Sequence, residues 1–240
     1  GEPGAGTRMK LINNLMVLDV NSLYPSVMVD NYLPHGMPLP FKGKYTEDKF
    51  YPLYVQQLSC SFELKENMIP TIQIKNSLAF LPNEYIESSD GEIITLTLTN
   101  VDLELFFEHY NVKVYEYHGG FKFMAVKGLF TNYISYWTEN KIKSKKEGNK
   151  SLYAISKLML NSLYGKFGTN PIVRSKYPYL NEEGVVKYAC YPAEEKKPIY
   201  IPVATFITAY ARRKTIETSQ AIKDYTIKNI ETQKIVNKDL

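Results

Sequence analysis

The sequence predicts an α+β fold, and three patterns carry that prediction. Residues 53–64 and 92–99 alternate apolar and polar side chains with the period of two expected of half-buried strands. Residues 130–147 and 150–164 carry helical spacing on either side of a Gly148-Asn149 bend, which makes a helical hairpin. Between residues 31 and 129 the strand patterns surround one short helical run, so that stretch reads as a self-contained α+β insert.

The elements follow in chain order. Residues 1–7 are a Gly-rich entry, and Gly6 is followed by Thr7-Arg8 where a phosphate-binding P-loop needs Gly-Lys-Ser/Thr. Residues 15–20 begin with the apolar run Leu15 to Leu18 and predict a strand that brings Asp19 to its solvent end. Residues 22–32 predict a helix, and residues 34–40 a Pro-rich crossing. After the strand at 53–64, residues 69–75 are extended, and Ser88-Ser89-Asp90-Gly91 is a turn that leads into the strand at 92–99. Asn100 is expected to cap a helix over 101–109. Residues 112–117 form a strand that ends at Gly119-Gly120. Beyond the helical hairpin, residues 172–197 predict a β-hairpin turning at Gly184, and residues 203–225 a final helix. Residues 226–240 are polar and carry no clear pattern.

Composition narrows the function. The chain has 240 residues, 44% hydrophobic and 22% charged, which suits a folded domain with a real core. A net charge of +4 is a mild basic bias, compatible with nucleic acid without requiring it. No apolar run approaches the 18 residues of a membrane span. Two separated cysteines exclude a thiolate metal site and suit a reducing, intracellular setting. The three histidines show no ligand spacing. Twenty tyrosines, against 11 Phe and 1 Trp, serve equally for packing or for stacking on bases and sugars. The chain opens without Met, and we expect it to be a piece of a longer one.

Two stretches carry chemistry. In Asp19-Val20-Asn21-Ser22-Leu23-Tyr24-Pro25-Ser26, a carboxylate at a strand end precedes a polar-aromatic turn, a good arrangement for a metal ligand. In the second helix of the hairpin, Lys157, Asn161 and Tyr164 share one face, and Gly165 follows, where a bare backbone lets a flat base pair approach. Leu152, Ile155, Met159 and Leu163 are expected to pack inward on the other side. A plain amphipathic helix with a Gly C-cap explains the spacing equally well. The first helix adds Lys141, Lys143, Lys145 and Lys146, and Lys150 opens the second; most of these suit a solvated face.

Together these stretches resemble the family B DNA polymerases. Asp19 to Ser26 is similar to their motif D-x-x-S-L-Y-P-S, and Lys157 to Gly165 to K-x-x-x-N-S-x-Y-G. The nearest resemblance is to the protein-primed branch of small linear-genome phages and linear plasmids, and it covers roughly residues 15–225. It implies a polymerase palm sheet (1–30 and 198–240), fingers made by the helical hairpin (130–168), and two terminal-protein regions at 31–129 and 169–197. The first of these would help to hold the priming protein and the DNA; the second would encircle the template.

The resemblance implies that Asp19 is one of two aspartates that bind two Mg²⁺ ions, with the Val20 carbonyl offered to a metal. Ser22, Leu23 and Tyr24 would cradle the triphosphate, with Tyr24 under the sugar selecting deoxynucleotides. Lys157 would neutralise the triphosphate, joined by Lys143 or Lys145. Asn161, Tyr164 and Gly165 would border the nascent base pair, and Thr208 and Arg212 the primer terminus. The implied partners are template and primer DNA, dNTP and a terminal priming protein, in the cytoplasm of a phage-infected bacterium, with no membrane. The family's third motif, Y-x-D-T-D-S, does not occur in residues 226–240. The second metal carboxylate is therefore missing, and this chain alone is expected not to polymerise. The alternative is a non-catalytic split or remnant piece that binds DNA or the priming protein.

Overall fold

A computed structural model describes residues 22–74, 84–196 and 199–236. Its elements run α1 (Leu23–Asp30), β1 (Tyr32–Lys42), β2 (Leu53–Leu64), β3 (Ile72–Ile74), β4 (Glu84–Ile86) and β5 (Ile94–Thr99). They continue with α2 (Asn100–His109), β6 (Tyr110–Lys127), α3 (Thr131–Lys146) and α4 (Lys150–Phe167). Four short strands follow, β7 (Ile172–Val173), β8 (Lys176–Leu180), β9 (Val186–Cys190) and β10 (Glu194–Glu195), before the long helix α5 (Ile201–Val236). The strand expected at 15–20 lies outside the described residues.

The main sheet is antiparallel, in the order β1-β6-β2-β5. Its centre is β6, 18 residues long, or about 60 Å at strand rise. The sequence expects this strand to stop at Gly119-Gly120, but it runs through them. The two glycines are there because three backbones crowd at this point. A Cβ on Gly120 would stand 1.8 Å from the Val55 carbonyl oxygen, and one on Gly119 would stand 2.3 Å from that of Phe41. The buried Gln56 fastens the same joint: its amide donates to Gly119 O at 3.0 Å and Gly43 O at 3.1 Å, and its oxygen accepts from Tyr45 N at 2.9 Å.

β1 replaces the expected Pro-rich crossing. It tolerates Pro34, Pro38 and Pro40 because it is an edge strand, and its register with β6 breaks between His35 and Leu39. α2 is capped by Thr99 rather than Asn100. The Thr99 hydroxyl oxygen accepts from Asp102 N at 3.1 Å and donates to Asp102 Oδ2 at 2.9 Å.

The sheet serves two cores. One gathers Val27, Met28, Leu33, Phe123, Ile134, Leu160, Phe206 and Ile207, and so ties α1, α3, α4 and α5 to β1 and β6. The other packs Leu58, Cys60 and Phe62 against α2, with Phe62 edge-on to Phe106 and to Tyr110 at 5.1 Å each. In the helical hairpin, Ser144 and Ser156 are fully buried and bond back to their own helices. These small, self-satisfied side chains let α3 and α4 approach closely. The residues buried on α4 are Ser156 and Leu160, with Leu163, Tyr164 and Phe167 against the core, while Ile155 is 50% exposed. The inward face is thus turned toward the polar stripe, away from the apolar set expected from the sequence. The cause is that α4 is covered by α1, α3 and α5 together rather than from one side.

Gly120→Ala is expected to lower stability by about 1–3 kcal/mol or more, because the clash is with backbone that cannot rotate away. Urea unfolding monitored by circular dichroism measures this, and an unchanged midpoint would contradict the three-strand crowding.

Candidate functional site

The site forms where α1 meets the helical hairpin and α5. Ser22, at the start of α1, adopts a left-handed backbone (φ 52°), uncommon for a residue with a Cβ. The Ser22 side chain does not cap α1, and the amides of Leu23 and Tyr24 point out of the first turn without an intrahelical acceptor. Pro25, Val27 and Met28 are buried and hold the helix against the core, while Tyr24 stays 36% exposed.

From that exposed turn Tyr24 reaches α4. Its ring stacks on Tyr164, centroids 4.2 Å apart and planes within 6°. Burial pushes the Tyr164 phenol above its usual value; Tyr24 adds to the rise, and the Arg212 charge opposes it. Lys157 and Asn161, on the same stripe of α4, are exposed. Gly165 lies inside α4, which runs on to Phe167, so it is not the C-cap; Gly168 takes that place. Among the described residues nothing lies within 4 Å of the position a Gly165 Cβ would take. A glycine inside a helix costs about 0.5–1 kcal/mol relative to alanine. No neighbour among the described residues requires that cost here.

The lysines of α3 sort by face and by position along the helix. Lys143 and Lys145 are exposed, whereas Lys141 is half-buried and its ammonium donates to Ser22 Oγ at 3.3 Å. Lys141 was not singled out from the sequence, although its spacing holds a signal. Ile134, Trp137, Lys141 and Ser144 recur at three- and four-residue intervals on the inward face of α3. Lys214 of α5 adds a second cation, donating to Ser26 Oγ at 3.4 Å.

Thr208 and Arg212 lie one turn apart on α5. The Thr208 hydroxyl donates to Ala204 O and Thr205 O, within its own helix. Arg212 forms a two-pronged pair with Asp102, Nε to Oδ1 at 2.8 Å and Nη2 to Oδ2 at 3.3 Å. Burial alone would lower the Arg212 pKa, but the Asp102 carboxylate outweighs it and holds the guanidinium above its usual value. Tyr24, Tyr164, Lys141 and Ser22 are therefore brought together, and Arg212 adjoins them through Tyr164. Lys143 and Lys145 are not.

Asp19 and Val20 lie outside the described residues. Among the described residues no group of three or more His, Cys, Asp or Glu could hold a metal ion. Beyond Arg212 on α5, Glu217 pairs with Arg213 at 3.6 Å, and Asp224 accepts from the Gln220 amide at 2.8 Å. A carboxylate and a backbone carbonyl are hard oxygen donors of the kind that suits Mg²⁺. Among the described residues no helix is long and apolar enough to cross a membrane.

A family model described as DNA polymerase type B, organellar and viral, matches residues 5–238. The DNA polymerase of Bacillus phage phi29 is 51% identical over 218 residues, which cover 91% of this chain and 37% of that protein. The DNA polymerase of Streptococcus phage Cp-1 is 37% identical over 219 residues, covering 89% and 38%. A solved structure of phi29 DNA polymerase complexed with primer-template DNA and incoming nucleotide substrates matches with a TM-score of 0.77 over 86% of this chain and 35% of that one. This bears out the α+β fold class. The chain spans little more than a third of the length of these relatives.

Gly165→Ala is expected to raise stability by about 0.5–1 kcal/mol, since the added methyl meets open space on a helix. Urea unfolding checks it. A loss of stability would mean that packing within the protein, rather than room for a ligand, accounts for the glycine.

Proposed function

The chain belongs to the organellar and viral type B DNA polymerases, and from that membership we propose that it supplies part of a protein-primed, template-directed DNA polymerase. One observation carries the reading: the tyrosine of the first motif, Tyr24, stacks on the tyrosine of the second, Tyr164. Two stretches 140 residues apart, each matching a polymerase motif, thus share one surface. We assign residues 1–30 and 198–240 to the palm, 130–168 to the fingers, and 31–129 and 169–197 to the two terminal-protein regions.

The residues divide the work by chemistry. The outward amides of Leu23 and Tyr24, with Lys141 beside Ser22, suit the triphosphate of a dNTP. Lys141 takes the place first given to Lys143 or Lys145, and Lys157 adds charge from α4. Tyr24 presents its ring edge to the sugar and excludes a 2′-hydroxyl. Asn161, Tyr164 and the open Gly165 face the nascent base pair. Thr208 lies toward the primer strand, and Arg212 would join it after leaving Asp102. Asp19 and the Val20 carbonyl would hold Mg²⁺. Two such ions, when bound, supply Lewis-acid activation of the primer hydroxyl and of the leaving oxygen. The partners are then template and primer DNA, dNTP and a priming protein, in the cytoplasm of a phage-infected bacterium.

One observation favours a second reading, a non-catalytic piece that binds DNA or the priming protein. No Y-x-D-T-D-S occurs in the 240 residues, and α5 continues as a single helix to Val236. A full-length polypeptide carrying these residues is expected to incorporate dNTPs on a primed template with Mg²⁺. Asp19→Ala should abolish this, and the 240-residue chain alone should show none. Absence of incorporation by the full-length polypeptide, or its survival in Asp19→Ala, would overturn the polymerase reading.

Steady-state kinetics separate the lysines. Lys141→Ala is expected to raise the dNTP KM about tenfold, as loss of a hydrogen bond to a charged group does, and Lys143→Ala to leave it nearly unchanged. The reverse ranking would return the role to Lys143.

A further inference from the structure

The sheet face turned away from α2 carries polar side chains. Strand β2 alternates, so Leu58, Cys60 and Phe62 pack against α2 while Gln57, Ser59 and Ser61 point to the opposite side. Ser59 pairs with Thr95 on β5 and with Glu116 on β6. The register between β2 and β6 slips between Gln57 and Leu58 and again between Ser59 and Cys60, which leaves His118 and Tyr115 as extra residues on β6. Bulges of this kind recur beside active sites, where they re-aim a side chain. Here the His118 ring is aimed at Ser59.

Three side chains on this face stand in the order nucleophile, base and carboxylate. The Ser59 hydroxyl lies 2.7 Å from His118 Nε2. The other ring nitrogen, Nδ1, lies 3.4 Å from Glu116 Oε1. An ionised carboxylate only accepts, so Glu116 draws the imidazole proton to Nδ1 and leaves Nε2 to accept from Ser59. From the other neighbouring strand, the Thr95 hydroxyl stands 3.0 Å from Ser59 Oγ. Ser59 is half-buried, and the His118 and Glu116 side chains are 31% and 68% exposed, so a small molecule can reach them.

We propose that Ser59, His118 and Glu116 form a nucleophilic serine centre that takes the acyl group of a small activated ester. The inference uses none of the residues of the polymerase reading and does not rest on it. Ser59 Oγ attacks the ester carbonyl as its proton passes to His118 Nε2. The bond from Oγ to the acyl carbon forms, the bond from that carbon to the leaving oxygen breaks, and the proton moves from Nε2 to the leaving oxygen. Water then attacks the acyl-serine with His118 as base, which releases the acid and returns the proton to Ser59. Glu116 is a positioning residue that holds the ring. The Thr95 hydroxyl is a donor for the oxygen that becomes negative. A single hydroxyl stabilises that oxygen less than a pair of backbone amides does, so the substrate must carry a leaving group that is a weak base, such as a phenolate. Ser61, two residues further on the same face, donates to the Tyr115 hydroxyl at 3.4 Å rather than to an imidazole, and it supplies an internal control.

The test treats the 240-residue chain with a fluorophosphonate, which labels activated serines as fluoride leaves, and locates the label by peptide mass spectrometry. Turnover is followed with p-nitrophenyl acetate. Ser59 should carry the label and Ser61 should not. Ser59→Ala should lose labelling and all turnover above the buffer rate. His118→Ala should slow both about 100-fold, as loss of a general base does. Free imidazole should restore turnover to His118→Ala but not to Ser59→Ala, which a merely structural histidine would not show. Glu116→Gln should lower kcat at unchanged KM. The proposal fails if Ser59 stays unlabelled, if Ser61 is labelled equally, if His118→Ala reacts like the parent, or if imidazole restores nothing to a folded His118→Ala chain. Circular dichroism identifies any variant that unfolds, and the parent then decides: Ser59 must be labelled in the folded chain and lose its label in urea. Failure on any of these counts leaves the polymerase reading untouched.

Discussion

The site depends on the burial of one short helix. α1 has eight residues, too few to be helical by itself in water. It is held because Val27 and Met28 are almost wholly buried in the core that also contains Phe206 and Ile207 of α5 and Leu160 of α4. Burying two such side chains contributes roughly 3–6 kcal/mol. That offsets the left-handed Ser22 at its start, which costs on the order of 1–3 kcal/mol. With α1 fixed, Tyr24 can meet Tyr164 and the outward amides of the first turn acquire a direction. The polar chemistry of the surface thus rests on apolar contacts one turn further along the same helix.

A second chain of contacts leads from that surface to α2 and the main sheet. Tyr164 feels the charge of Arg212, Arg212 holds Asp102 with two hydrogen bonds, and Asp102 exchanges hydrogen bonds with Thr99 at the start of α2. Arg213 reinforces the junction through Glu104 and the Val101 carbonyl. The end of α2 is tied back in turn, since His109 is buried and its Nδ1 meets Ile69 O at 2.7 Å. Residues 31–129 are therefore joined to α5 by ion pairs as well as by the shared core. Any role for Arg212 at a primer strand would compete with its pairing to Asp102.

Local signals in the sequence were legible, and signals set by distant neighbours were not. β2 shows its alternation directly, and α4 shows its helical period and an N-cap at Asn149, whose side chain accepts from Leu152 N. The prolines of β1 argue against a strand until its position at the sheet edge is known. Gly119 and Gly120 look like a strand end until Val55 and Phe41 are seen to crowd them. The inward face of α4 was misjudged for a similar reason. Buried serines count as polar in any periodicity, yet Ser144 and Ser156 are there because they are small. Among site residues, the motif strings marked Tyr24 and Tyr164, but only the fold shows that it is Lys141, not Lys143 or Lys145, that meets Ser22. Lys143 is turned from Lys141 by about 200°, and Lys145 shares its face but lies about 6 Å further along the helix, so the contact depends on where α1 crosses α3.

The β8–β9 hairpin follows the opposite logic to α1. Two strands without a core are marginally stable in water. This pair is held by its backbone ladder and by a turn in which Asn181 Oδ1 accepts from Glu183 N and Val185 N, with Gly184 in the left-handed region. None of these bonds needs the side chains on either face. A ring contact between Tyr177 and Tyr191, 4.6 Å apart across the hairpin, adds to that ladder on the surface, whereas the aromatic residues of the second core, such as Phe62 and Phe106, are packed edge to face and buried.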